Sequence, residues 1–144
     1  MYRTLTRRQA SIIGALGRGM IPCGGDFFEL GAASIEEKWL PRADYYISRM
    51  PLLTRLGIKL MLYALDCAGP LVFARRVALL SRMDEDGLVS LLHRVEHAGP
   101  LGDGIMVVVK ALVFPAFYGT DEAKKAIGYV EKFPVPEDFE GVKP

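Results

Sequence analysis

The stretch LLTRLGIKLMLYALDCAGPLVFARRVALL, residues 52–80, is the most hydrophobic part of the chain, and its reading decides the fold. Arg55, Lys59, Asp66, Arg75 and Arg76 interrupt it, and Gly69-Pro70 falls in its middle. A membrane span needs about 20 consecutive, predominantly apolar residues, which these interruptions deny. A buried helical hairpin is the better expectation. Its first arm runs from Pro51, which suits a first helical turn, to about Cys67 and is apolar on nearly every face. Its second arm, over 71–83, starts where Gly69-Pro70 stops the first.

Working outward, helix follows helix. Toward the N-terminus, Thr6 with Gln9 forms a capping-box signature with Leu5 as staple, and Ile12, Ile13, Leu16 and Met20 recur at helical spacing. Residues 21–33, with Pro22, Gly24, Gly25 and Gly31, read as a loop. Ser34 with Glu37 repeats the capping signature ahead of the stripe Trp39, Ala43, Tyr46, Ile47 and Met50. Toward the C-terminus, Asp84 or Asp86 caps a helix carrying Leu88, Leu91, Leu92 and Val95 on one face, and Ala98-Gly99-Pro100 ends it. Asp103 can cap the next. Its β-branched run Val107-Val108-Val109 would suit a strand, but no other segment offers a partner strand. Thr120 caps a short last helix. From Phe133 the two prolines of Phe-Pro-Val-Pro impose an extended tail. The expected fold class is all-α, an irregular bundle of about six to seven helices, with residues 1–132 as one helical domain and 133–144 as an extended Pro-rich tail.

Composition bounds the function. At 144 residues one domain is expected, and 51% of residues are hydrophobic, against about 45–50% in an average soluble domain. A formal charge of +1 makes electrostatic binding to nucleic acid or to an anionic membrane a poor default. Cys23 and Cys67 belong to no CxxC or metal-spaced set, and two unpaired thiols in a reducing compartment is the simplest reading, with pairing left open. Arg7-Arg8 superficially suggests a twin-arginine export signal, but the following apolar stretch is short and holds Arg18. An ordinary first helix is expected instead. That places the protein in the cytoplasm or at the periphery of a membrane, with no transmembrane span and with contact of the apolar middle with a membrane surface left open.

Candidates for chemistry are few. His93 and His97, the only histidines, lie four apart on one helix face, a spacing that can bring two imidazoles to one metal. Arg94 stands where a metalloprotease motif has its Glu, and no third ligand follows; His97 suits the helix C-terminus. Asp84-Glu85-Asp86 lacks the calcium-loop pattern and reads as helix capping. Gly14, Gly17, Gly19 and Gly24-Gly25 lack the dinucleotide spacing and serve turns and close packing. Cys23 has no histidine nearby in sequence to lower its pKa. No catalytic residue and no cofactor on this chain are expected. The aromatics are more numerous than a bundle of this size needs. Phe27, Phe28, Phe114, Phe117, Tyr118 and Tyr129 are the expected partner-binding residues.

Both ends of the chain carry a resemblance. Leu5-Thr6, Gln9, the apolar helix to Met20-Ile21-Pro22, and Gly31-Ala32-Ala33 after a short Gly/Asp loop resemble the start of the gluconate 2-dehydrogenase subunit 3 family. Lys110 and Leu112, Phe117-Tyr118 and Ile127-Gly128-Tyr129 are similar to its far end. The resemblance covers about half the chain, and the middle matches only as helix. It implies a non-catalytic small subunit that binds and stabilises an FAD-dependent alcohol or sugar dehydrogenase of the glucose-methanol-choline type. FAD would then sit on the large subunit, and a cytochrome subunit often completes the assembly. Family members often carry a twin-arginine signal, and this chain departs there. The alternative is a stand-alone helical protein that binds a small apolar ligand, or a metal through His93 and His97.

Overall fold

Thr6 and Gln9 close the first helix as their spacing predicts. The Thr6 hydroxyl accepts from the Gln9 amide at 3.2 Å, and the Gln9 side chain accepts from the Thr6 amide at 3.0 Å. The computed structural model describes residues 2–24 and 29–129, and among them every regular element is helical. These are α1 Arg7–Met20, α2 Glu36–Arg49, α3 Leu52–Ala74, α4 Glu85–Glu96, α5 Pro100–Tyr118 and α6 Asp121–Ala126, with 3₁₀ turns at Ala32–Ile35 and Leu80–Arg82. The protein is an all-α bundle. The expected tail, 133–144, and Phe27 and Phe28 lie outside the described residues.

α1 is the hub, buried on most sides from Gln9 to Gly19, and it packs against α2, α3, α4 and α5. α4 also touches both α3 and α5, and α5 touches α2, so the order around α1 is α2, α5, α4, α3. Small residues let the helices approach. A Cβ on Gly17 would stand 2.4 Å from the Trp39 ring, and one on Gly19 would meet Leu88 and Leu92. Trp39 is wholly buried, with its indole N–H bonded to the Ala32 carbonyl at 2.9 Å. The N-terminal segment is tied to α2 by Asp44, whose buried carboxylate accepts the amides of Arg3, Thr4 (3.0 Å) and Leu5 (2.8 Å). Such charge-assisted bonds are roughly twice as strong as neutral ones.

Three local expectations are overturned. Gly69-Pro70 does not divide the apolar middle: α3 runs through both to Ala74. Proline removes only its own amide from the helical ladder, and here both residues are buried in the packed face, so tertiary contact outweighs the local break. The helix ends one turn later. The Arg76 amide bonds the Pro70 carbonyl at 3.0 Å, and Arg75 takes the left-handed conformation at φ 52°. The helix expected over 71–83 is therefore the end of α3, a connection and a single 3₁₀ turn. Nor is the middle a buried hairpin, because much of α3 is exposed. Finally, Ser34 does not cap α2: Ala32–Ile35 forms a 3₁₀ turn, and no side chain caps the helix at Ile35.

Elsewhere most of the sequence signals hold. Asp84 occupies the N-cap of α4, though without a side-chain cap bond, and Glu85 and Asp86 fill its first turn. The Asp103 cap is a further correction, because α5 begins at Pro100 with Gly99 at its N-cap and Asp103 inside its first turn; the β-branched run is helix as expected. The Thr120 hydroxyl accepts from the Ala123 amide at 3.3 Å to cap α6. Gly128 closes α6 at φ +67°, a conformation that an L side chain rarely adopts, with the Tyr129 amide bonded to the Lys124 carbonyl at 2.9 Å.

Candidate interaction surface

The residues singled out for chemistry do not form a catalytic constellation. His93 and His97 are exposed at the end of α4 with rings stacked 4.4 Å apart at 29°, and a ring nitrogen of His97 lies 2.8 Å from the His93 carbonyl. Stacked rings direct their in-plane lone pairs side by side rather than at one point. Among the described residues no three His, Cys, Asp or Glu side chains are grouped to hold a metal. Cys23 and Cys67 are both free and exposed. The Cys23 sulfur lies 3.6 Å from the Ser34 hydroxyl, and Cys67 lies 3.6 Å from the Arg8 guanidinium. A small polar cleft of about 220 Å³ between the end of α3 and α4 holds Arg76, Arg94, Asp84 and Asp86, with no nucleophile paired to a base.

The surface is more informative. α3 is 23 residues long, and its exposed residues Leu53, Leu56, Leu60, Ala64, Cys67 and Leu71 recur every three or four positions, one continuous stripe. Leu53 is 83% exposed and Leu60 72%. Two of the three charges of the helix, Asp66 and Lys59, turn toward the body. Asp66 is wholly buried and accepts the Ser81 amide at 2.9 Å and the Arg8 guanidinium at 3.0 Å. Lys59 donates to the Thr4 carbonyl at 2.8 Å. Burial pushes the Asp66 carboxyl up, but the bonds from Ser81 and Arg8 outweigh that and hold it below its ordinary range. The helix is thus tied to the body partly by polar contacts and turns aliphatic side chains to the outside.

α5 presents a second such face. Leu101, Gly104, Val107, Ala111 and Pro115 are exposed, flanked by the half-buried Ile105, Val108, Phe114 and Tyr118. Polar seams frame it. Lys110 pairs with Glu96 on α4 at 2.7 Å, and Lys38 on α2 pairs with Glu122 on α6. Each lysine holds its carboxylate partner below the ordinary value. By length and composition α3 and α5 are both apolar enough to cross a membrane, at mean hydropathy 1.5 and 1.6, a property shared by core helices of soluble proteins.

The aromatic residues expected at an interface divide. Phe117 is wholly buried, so its ring belongs to this chain's own core and not to the surface. Adjacent residues on a helix point about 100° apart, and where Phe117 faces inward Tyr118 falls at the margin. Phe114 and Tyr118 are half-buried and meet edge to face at 5.9 Å. Tyr129 is 56% exposed, with the Lys124 ammonium over its ring. The exposed face of α3 was missed at the sequence level. The only signal was that Leu53, Leu56, Leu60 and Leu71 form a stripe from which the charged residues are absent.

The motifs behind the family resemblance have structural duties. Thr6 and Gln9 cap α1. Gly31 packs against the Cys23 backbone, where a Cβ would stand 2.6 Å from its nitrogen, and Ala32 receives the Trp39 indole. Ile127-Gly128-Tyr129 closes α6. Comparison of the chain with protein-family models, with curated proteins and with solved structures found no match.

Proposed function

We propose that the protein is a non-catalytic accessory subunit that binds and stabilises a larger oxidoreductase subunit, an FAD-dependent alcohol or sugar dehydrogenase, with a cytochrome subunit as a further component of the assembly. The observation that carries the reading is the outer face of α5, apolar over five turns with aromatic residues at its margin. Over residues 100–129 the charges balance, with Asp103, Asp121 and Glu122 against Lys110, Lys124 and Lys125. A charge-balanced, aromatic-edged apolar face has the make-up of a protein interface. Exposed apolar faces of this extent mark interaction sites. The resemblance of both chain ends to the small-subunit family is the ground for naming a flavoprotein as the partner, with the FAD on that partner.

The test is a tagged capture from the native host, followed by the absorbance spectrum of what is retained. A yellow flavoprotein is expected. Replacing Val107→Glu together with Tyr129→Ala, both exposed, should reduce capture while leaving the melting temperature unchanged. Phe117 is not a suitable probe, because Phe117→Ala opens a cavity in the core and should cost about 3–5 kcal/mol of stability by itself. Retention of a partner without flavin absorbance, or capture indifferent to the Val107/Tyr129 change, would sink the assignment.

A further inference from the structure

The outer face of α3 differs in kind from that of α5. Its stripe of Leu53, Leu56, Leu60 and Leu71 is aliphatic and about 27 Å long at 1.5 Å per residue. The charged residues from 52 to 82 are Arg55, Lys59, Arg75, Arg76, Arg82 and Asp66, and the one carboxylate is buried and paired with Arg8. Every accessible charge from 52 to 82 is therefore a cation; the next carboxylates along the chain, Asp84 and Asp86, are exposed and share a polar cleft with Arg76 and Arg94. Beyond the stripe, Val77 is 97% exposed between Arg76 and Arg82. An apolar cleft of about 450 Å³ adjoins it, floored by Leu71, Ala78 and Leu79 and edged by the same two arginines. Arg75 holds a left-handed conformation, the one positive φ at a non-glycine position among the described residues. Glycine would adopt it without strain, yet a cation stands there.

We infer that this face docks the protein on an anionic phospholipid surface. α3 lies in the plane of the interface with its leucines in the acyl boundary, and Val77 enters beside it. Arg75, Arg76 and Arg82 engage lipid phosphates at the helix end. Helices that lie in an interface combine a continuous apolar face with flanking Lys and Arg. The charge weighs against the main competitor: a second copy of this chain would bring Arg75 and Arg82 against their own kind, and the nearest exposed carboxylates, Asp84 and Asp86, already share a cleft with Arg76 and Arg94. A transmembrane course would pull the Arg8–Asp66 pair and the Lys59 link away from the body.

This inference stands apart from the flavoprotein partner, which is assigned to α5, and fails separately from it. The experiment is co-sedimentation of the full chain with vesicles of phosphatidylcholine alone or mixed with phosphatidylglycerol. Binding is expected to the anionic vesicles and should weaken as salt rises. Arg75→Ala with Arg76→Ala should lower it about 30-fold, at about fivefold per cation, and leave any residual binding to phosphatidylcholine unchanged. Leu56→Ser with Leu60→Ser should lower binding on the order of tenfold or more with an unaltered thermal melt, since both side chains are exposed. Both double variants should still capture the flavoprotein. Equal partition into the two vesicle types overturns the proposal, and so does indifference to the leucine pair. A shift from dimer to monomer on the leucine change would assign the face to a second copy, and resistance to alkaline carbonate extraction would make α3 a span; either result refutes it.

Discussion

Removing the Asp66 carboxylate tests the polar tie that holds α3 with its apolar side outward. The side chain is wholly buried and joins three elements: α3 itself, Arg8 of α1 through contacts at 3.0 and 3.3 Å, and the 3₁₀ turn after α3 through the Ser81 amide at 2.9 Å. In Asp66→Ala the Ser81 amide loses its acceptor, at about 1–3 kcal/mol for a buried donor left unmade. Arg8 contributes less. Its side chain is 52% exposed and returns to water, so its share is small. A total of about 2–3 kcal/mol follows, or roughly 6–12 °C in melting temperature for a domain of this length. Asp66→Asn keeps an acceptor for Ser81 and should lose only about 1 kcal/mol.

The pH dependence carries a sign. The folded carboxyl sits below its ordinary value of 3.8, so its contribution is fully present above that value and fades as pH falls through the folded one. Thermal melts followed by circular dichroism at pH 7, 5, 3 and 2 should show a gap between the parent and Asp66→Ala that is constant down to about pH 5 and then narrows. Amide exchange at Ser81 should accelerate in the variant. A gap below about 0.5 kcal/mol at pH 7 would refute the reasoning, as would one that stays flat or widens in acid.

Other changes probe the hub and the ends of the helices. Gly17→Ala places a methyl 2.4 Å from the Trp39 ring; overpacking of about 1–3 kcal/mol outweighs the helix-propensity gain of at most about 1 kcal/mol. A lower melting temperature and a shifted tryptophan emission should result, and a more stable protein would contradict the close approach. Asp44→Ala strands the amides of Arg3, Thr4 and Leu5 and should cost about 2–3 kcal/mol, with early proteolysis of the N-terminal segment as the local readout. Arg75→Gly should stabilise the fold by about 1 kcal/mol in urea melts, through relief of the left-handed strain, while weakening vesicle binding.

What was legible in the sequence was local. The Thr6/Gln9 box, the Thr120 cap and the Gly128 stop each depend on residues within one turn, so their spacing suffices to place them. Gly69-Pro70 looked equally local and was misleading, because burial of both residues in the packed face overrides a single missing amide. Exposure was the least legible property. Phe114, Phe117 and Tyr118 share one region of α5, yet only the packing of α5 against α2 and α4 sends Phe117 inward and leaves Tyr118 at the margin. The glycines of α1 were readable as close-packing residues, but not that Gly17 exists for Trp39, a partner 22 positions away in the chain.

α3 shows why an apolar helix cannot be assigned to the interior by composition. A helix of a soluble bundle normally earns its place by burying leucines and leaving charges to water. Here Ile58, Leu62 and Leu65 supply the buried stripe, while Lys59, Asp66 and their partners Thr4, Ser81 and Arg8 supply polar ties to the body. With the helix secured by both, Leu53, Leu56, Leu60 and Leu71 remain outside, where they add nothing to the folded state in water. Exposed leucines that do not serve the fold raise the risk of aggregation. Their arrangement along a single stripe that ends at Arg75, Arg76 and Arg82 is the feature the proposed docking on an anionic phospholipid surface uses. The exposed face of α5 has a different chemistry, and α4 with its polar outer residues Ser90, Arg94 and Glu96 stands between the two. The bundle thereby keeps two apolar surfaces apart on one small domain, and the two proposed contacts would not compete for the same face.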